Sequence, residues 1–388
     1  MTTAIGAGDA RALARSLVRV DSRNPSLVAH APGEHACAVL LRAVLDAWGF
    51  RTELQDAAPG RPNLVARIGG GSAGAGSRSL MFNGHVDVVG VDGMVHAPFA
   101  GNEHDGRLYG RGAADMKGGI AAMCAAAFRA STAGAPGEII IAAVADEEYE
   151  SLGTRMLIER GVRADACIVT EPTRLTIMPA HRGFVWLEVE VTGRAAHGSR
   201  WDIGVDAIRH AGLLLAELDT HDAVVLPTRT HALLGRGSLH ASLIEGGIGM
   251  STYPDRCVLK LERRTIPGES ADDAVREVRQ ACERIRARRS TFSADVRLLV
   301  TQGPSDVAVD APLVVSLGHA MRASGEAVVV EGMSAWTDAA LLNDAGIPAV
   351  CFGPGDISLA HAAEEYIPLD EIDRATTVLA ALAGRWCA

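Results

Sequence analysis

No basic run with interleaved aromatics occurs in this chain. Phe, Trp and Tyr together make up 4% of the residues, and the formal net charge is −10. Nucleic-acid binding is disfavoured on both counts. No Cys-x-x-Cys occurs either. The seven cysteines (Cys37, Cys124, Cys167, Cys257, Cys282, Cys351 and Cys387) are scattered, odd in number and mostly in apolar contexts. That reads as buried thiols in a reducing compartment, not as a disulfide frame or a thiolate zinc site. No apolar stretch approaches a membrane span, and Arg11, Arg15, Arg19 and Asp21 interrupt any basic-then-apolar leader pattern. The expectation is a cytoplasmic protein with no membrane partner. What remains is ordinary globular composition, 48% hydrophobic and 22% charged, in 388 residues. That length makes two domains the natural expectation.

The chain is organised around Phe82-Asn83-Gly84-His85-Val86-Asp87. A short apolar run ends abruptly in a histidine with a carboxylate two residues on. A buried strand delivers a metal ligand to the end of a sheet in this way. An imidazole binds a divalent metal through one ring nitrogen when the other is held, and the Asp87 carboxylate is well placed to hold it. Alone, the pair also suits a satisfied structural histidine.

In chain order, helical spacing marks 8–20 and 33–48, and short apolar runs follow at 62–68 and 79–82. Gly69 to Ser77 reads as a loop. The segment Leu108-Tyr-Gly-Arg-Gly-Ala-Ala-Asp115-Met-Lys-Gly-Gly-Ile120 superficially resembles a dinucleotide fingerprint. Asp115 stands where the third glycine belongs, however, and a carboxylate there would repel a pyrophosphate. It reads better as a turn presenting Asp115 near the N-terminus of an Ala-rich helix, 117–130, where the helix dipole favours a carboxylate. An ordinary N-cap aspartate fits the same position. The runs 138–145 and 164–170 are almost wholly apolar, as strands buried on both faces are. They end in Asp146-Glu147-Glu148 and Glu171-Pro172. His85, Glu147/Glu148 and Glu171 thus each follow the end of a buried strand, where open α/β sheets gather ligands.

From about residue 180 the texture changes. Val185, Leu187, Val189 and Val191 alternate with Trp186, Glu188 and Glu190, the pattern of a strand with one wet face. A helix (204–218), strands near 239–245 and 256–264, a helix (271–288) and a strand near 294–301 follow. The order βαββαβ is ferredoxin-like. It predicts a module inserted into an α/β domain: 1–179 and 303–388 forming the catalytic domain, 180–302 the insert. A helix near 311–323, a strand at 348–352, a loop holding His361 and a final helix, 370–384, complete the chain.

His85, Asp115, Glu148, Glu171 and His361 supply imidazole and carboxylate ligands without thiolates. They are too many for one tetrahedral catalytic zinc and suit two ions sharing a bridging carboxylate. Adjacent Glu147 and Glu148 point differently, so one can bind metal while the other stays free as a base.

With these residues in hand, nearly the whole chain resembles the two-zinc amidohydrolase and metallopeptidase family of acetylornithine deacetylase, succinyl-diaminopimelate desuccinylase, aminoacylase and glutamate carboxypeptidase. The resemblance rests on Gly84-His85-Val86-Asp87, Gly110-Arg-Gly-Ala-Ala-Asp115-Met-Lys-Gly-Gly119, Asp146-Glu-Glu148, Thr170-Glu-Pro172 and Ala360-His361. It implies an exopeptidase-like catalytic domain, a mixed sheet flanked by helices, interrupted by a lid that dimerises. It implies that His85 and Glu171 bind one zinc, that Glu148 and His361 bind the other, and that Asp115 bridges them before a cis Asp115–Met116 bond. Cobalt is able to take zinc's place. Asp87 orients His85 and Glu147 is the general base. His197 reaches the partner subunit's active site to hold the developing oxyanion; taken alone, it reads as a surface or turn residue. Arg264 matches an arginine that holds a substrate carboxylate, although a surface salt bridge fits it as well. Ser251 stands where many relatives carry a substrate-contacting Asn. Trp336 walls the acyl or side-chain pocket, or is simply a buried aromatic. The implied reaction is hydrolysis of the amide of an N-acyl amino acid. A dipeptidase or carboxypeptidase of the same family is the alternative, with a small molecule or short peptide as substrate.

Overall fold

The computed structural model describes residues 5–70 and 77–388; residues 71–76 of the expected Gly69–Ser77 loop lie outside them. The chain divides into two compact units. One comprises Met1–Pro179, Val307–Glu331 and Thr337–Ala388, and the other Ala180–Asp306 with Gly332–Trp336.

The first unit is built on a mixed sheet. Four strands run parallel side by side, in the order Glu138–Val144, Leu80–His85, Cys167–Val169, Ala349–Cys351. Arg61–Gly69 and then Arg51–Ala58 extend one side antiparallel, and Ile177–His181 joins the other side antiparallel. The parallel strands are buried along almost their whole length, because helices flank the sheet and leave no face for water. Phe82 pairs with Ile141 and Ile168 on its two neighbours and belongs to the main core with Leu80, Ile139, Val350 and Phe352. Since the four strands run the same way, Val86-Asp87, Ala145-Asp146-Glu147, Thr170-Glu171 and Phe352-Gly353 all leave from one edge. That common edge is the consequence of parallel pairing that matters for function.

Several elements differ from the sequence reading. The strand expected at 164–170 is only Cys167–Val169, because Asp165 is drawn off to bind the Ser79 amide and hydroxyl (2.7 and 2.8 Å). The strands Arg51–Ala58 and Ile177–His181 and the short helix Leu152–Glu159 carried no clear periodic signal. Arg51–Ala58 is an edge strand with a half-exposed pattern and an irregular register near its end.

The helix Gly118–Thr132 packs against Leu369–Trp386 and over the sheet. Its first turn comes extremely close to a strand end: a Cβ on Gly119 would lie 2.0 Å from the Thr170 carbonyl oxygen. A Cβ on Gly84 would similarly meet the Met116 methyl at 2.7 Å. These two glycines let the turn bearing Asp115 settle directly over the strand bearing His85.

The second unit contains a four-stranded antiparallel sheet, ordered Ser238–Gly246, Arg256–Thr265, Gly183–Thr192, Ser293–Gln302. With the helices Ala207–Thr220 and Ala271–Arg288 it follows the ferredoxin-like order. Val185, Leu187, Val189 and Val191 pack against Leu214, Val278 and Ile285, as the alternation requires. Asp206 caps the first helix through the Arg209 amide, so that helix starts at Ala207 and not at 204. Ser270 and Asp273 form a capping box on the second. Among the described residues no helix is long and apolar enough to cross a membrane, and all seven cysteines are free and buried.

An exposed Gly→Ala change inside a helix ordinarily stabilises by up to about 1 kcal/mol. At Gly119 the new methyl would overlap a backbone oxygen, and overpacking of that kind costs about 1–3 kcal/mol. Gly119→Ala is therefore expected to lower the urea midpoint of unfolding; a raised or unchanged midpoint would contradict the close approach.

Candidate metal centre

His85 ends its strand fully buried. Its Nδ1 is 2.9 Å from the Asp87 main-chain carbonyl, to which the N–H donates. This corrects the expected role of the Asp87 carboxylate, whose nearer oxygen is 3.7 Å from Nδ1. That carboxylate is committed elsewhere. It accepts the amides of Glu147 and Glu148 at 3.2 Å each and Asn24 Nδ2 at 2.9 Å. Asp87 therefore fixes the histidine through its backbone and the Glu147-Glu148 turn through its side chain.

With Nδ1 donating, Nε2 faces inward. Asp115 Oδ1 is 3.0 Å away, Glu171 Oε1 3.9 Å and Glu147 Oε2 4.0 Å. The second oxygen of Asp115 is 3.6 Å from Nε2 of His361, which also meets Glu148 Oε2 at 2.9 Å. Asp115 thus divides its two oxygens between two imidazoles. The ligand atoms fall into two groups, His85/Asp115/Glu171 and Asp115/Glu148/His361, each with all atoms within 4.8 Å of one another. The Asp115–Met116 bond is cis.

The electrostatics point the same way. Burial, then neighbouring carboxylates such as Glu171 and Asp338, push Glu147 well above the usual carboxylate range despite the pull of His85. Burial and Asp115 do the same to Glu171. Burial would depress His85, but Asp115, Glu147 and Glu171 outweigh it and hold the ring well above its ordinary value. Glu148 raises His361. A protein interior does not hold this many carboxylates without compensating positive charge.

Support comes from residues outside the two ligand groups. Asp146 adopts a left-handed conformation, φ 67°, at a cost of roughly 1–2 kcal/mol. Arg61 (2.8 Å) and Asn24 Nδ2 (3.0 Å) hold its carboxylate. Asp338 accepts the Thr154 hydroxyl at 2.5 Å, and burial raises it to about 6. Glu365 clamps the Asp115 turn through the amides of Gly112, Ala114 and Asp115. Arg61, Asn24 and Asp338 could not have been picked from the sequence, because each lies far along the chain from the groups it supports; Asp146 stands beside Glu147, and Glu365 four residues after His361.

The remaining expected site residues, His197, Ser251, Arg264 and Trp336, all belong to the second unit. His197 is exposed. Its Nδ1 accepts the Ser199 amide at 3.3 Å and lies 2.8 Å from the Ser199 hydroxyl. The Ser251 carbonyl accepts the Gly198 amide at 2.7 Å, so Ser251 adjoins His197. Arg264 lies over the Phe184 ring (5.4 Å) and pairs with Glu262 at 2.5 Å. The Trp336 ring meets Phe184 edge-on at 6.3 Å, and its Nε1 donates to the Gly303 carbonyl. These four residues form two clusters, His197 with Ser251 and Arg264 with Phe184 and Trp336.

Residues 81–385 match the model of peptidase family M20/M25/M40. The chain belongs to this family. It is 36% identical over 361 residues to an acetylornithine deacetylase from Myxococcus xanthus, covering 89% of this chain and 90% of that protein. It is 29% identical over 375 residues to an N-formyl-4-amino-5-aminomethyl-2-methylpyrimidine deformylase from Bacillus subtilis, covering 88% and 87%. The fold matches that of aminopeptidase PepT from Bacillus cereus with a TM-score of 0.81, at 21% identity and over the full length of both chains. The family of hydrolases that the motifs resemble is therefore the right one, and the mixed α/β fold is the family's.

A metal-free chain should reveal the charge imbalance directly. Glu147 and Glu171 are raised in the folded state from 4.5, and His85 from 6.5. A raised folded-state value contributes stability that is present below the unfolded value and lost as pH rises through the folded one, for acids and imidazoles alike. In chelator, the Tm is therefore expected to fall as pH rises from about 5 to 8. Restoring divalent metal should remove most of that fall. A chelated Tm that rises over this range would overturn the reading.

Proposed function

We propose that this protein hydrolyses the amide bond of an N-acyl amino acid at a two-zinc centre, with Glu147 as general base. The observation that carries the reading is the division of Asp115 between His85 and His361, with Glu171 and Glu148 completing the two ligand groups. His85 and Glu171 would hold one ion, Glu148 and His361 the other, and Asp115 both. Bound there, the ions would polarise the scissile carbonyl and lower the pKa of an attacking water. Cobalt(II), with similar demands, is expected to substitute for zinc.

Glu147 has the position and environment of the base. Its Oε2 is 4.0 Å from His85 Nε2, and its main chain is anchored by Asp87. Burial raises its proton affinity, which suits a group that takes a proton from water and returns it to the leaving amine. His197 of the partner subunit would donate its Nε2–H to the oxyanion. Arg264 would meet the substrate carboxylate, with Phe184 and Trp336 beside it and Ser251 as a further contact. The deacylase reading draws support from the acetylornithine deacetylase relative. The deformylase relative widens the range of acyl groups, and the peptidase-like fold keeps dipeptide or carboxypeptidase activity as the second reading.

The inserted unit would serve as a dimerising lid. Supporting this, Ser238–Gly246 is an edge strand of its sheet and exposes Leu243 (62%) and Ile244 (59%), the kind of edge that natural proteins cover. The free, buried thiols suit a cytoplasmic setting.

Glu147→Gln is expected to keep both metal equivalents and lose about 10²–10⁴-fold in kcat; wild-type turnover in that variant would remove Glu147 from its role. A panel of N-acetyl, N-formyl and N-succinyl amino acids beside dipeptides, assayed with zinc, cobalt or chelator, tests the reaction class. Metal-dependent cleavage of acyl amino acids alone is the expected outcome, and cleavage of dipeptides alone would move the protein to the peptidase reading.

A further inference from the structure

The buried carboxylate of Glu365 is joined to the metal centre without being one of its ligand groups. Its Oε2 accepts Arg111 Nη1 at 2.7 Å and the Gly112 amide at 3.0 Å. Its Oε1 accepts the amides of Ala114 at 3.0 Å and Asp115 at 3.2 Å. Three consecutive-turn amides and one guanidinium thus converge on a single side chain, which is fully buried. Glu365 also stands four residues after His361, and the intervening loop is tied to the same place. Arg111 Nη1 reaches the Ala362 carbonyl (3.4 Å), Arg111 Nε the Gly90 carbonyl (2.9 Å), and the Glu365 carbonyl accepts the Gly110 amide (3.2 Å). His361 itself is held in a left-handed conformation, φ 61°, which a loop free at its far end would relax.

The consequence is geometric. Of the two ligand groups, His85/Asp115/Glu171 takes only Asp115 from the clamped segments. Asp115/Glu148/His361 takes two of its three ligands from them. We propose that Glu365 is a positioning residue that sets the affinity of the second ion, fixing the separation of Asp115 and His361, while leaving the first ion largely unaffected. This rests on the two-ion reading above. Glutamine at this position has the same shape, but its NH2 group would face amide donors on one side or the guanidinium on the other. Loss of such supporting hydrogen bonds typically costs roughly 10–100-fold in metal affinity.

The test uses the full chain, stripped with chelator and titrated with cobalt(II), read by visible absorption and by heat of binding. Wild type is expected to take up two equivalents. Glu365→Gln should bind one equivalent as wild type does and the other roughly 10–100-fold more weakly. Single-ion backgrounds assign the effect to a site. Adding Glu365→Gln to His85→Ala, which keeps the second group, should show the full loss. Adding it to His361→Ala, which keeps the first, should change affinity by less than about threefold. Near-UV circular dichroism of each stripped variant checks folding. Where Glu365→Gln fails that check, Glu365→Asp, which keeps the charge but withdraws it from the amides, goes through the same cycle. Equal losses in both backgrounds, or none in either, would overturn the inference. A wild-type chain that takes up no cobalt would overturn the two-ion reading itself.

Discussion

Four carboxylates, Asp115, Glu147, Glu148 and Glu171, and two imidazoles, His85 and His361, meet at one edge of a parallel sheet, and the negative charge gathered there governs the surrounding structure. Glu147 and Glu171 lie near the shared Asp115 and His85, and burial makes each costly to ionise without a cation. Much of the neighbouring architecture serves to hold these groups close against their repulsion. The Asp87 carboxylate pins the amides of Glu147 and Glu148, and Arg61 bridges Glu34 and Asp146. Buried pairs of this kind are weak evidence for net stability. Their value lies in fixing where the acidic side chains can point.

The backbone shares that work. Gly84 and Gly119 permit an approach between strand and turn that any side chain would block, bringing Asp115 to His85. Asp146 and His361 are held in left-handed conformations beside the groups they position. Such strain survives only where surrounding contacts over-determine it, and here each outlier is flanked by a charged clamp, Arg61 and Asn24 at one and Arg111 with Glu365 at the other.

The second unit shows a different economy. Its sheet buries one face on two helices and keeps Arg264, Glu262 and Trp186 on the other. There, Glu262 accepts both Arg264 Nε and Trp186 Nε1. The pair is partly exposed, so its electrostatic contribution to stability is small. What the pair does is orient the guanidinium over Phe184, beside Trp336.

Much of this protein was legible in its sequence. The parallel strands announced themselves as unbroken apolar runs, the ferredoxin-like module as alternation and helical spacing, and three of the candidate ligands, His85, Glu148 and Glu171, as acidic or imidazole groups at or just after strand ends. Those signals are local: burial on two faces, one face or a stripe leaves its period in neighbouring residues. Tertiary structure alone decided the rest. It gave the hold on His85 to the Asp87 carbonyl and freed the carboxylate for the next strand's turn. It brought Glu365, Asp338, Asn24 and Arg61 to the centre from remote parts of the chain. A hydrogen bond between residues 250 positions apart leaves no periodicity behind. It exists only once the strands have paired and their ends share an edge.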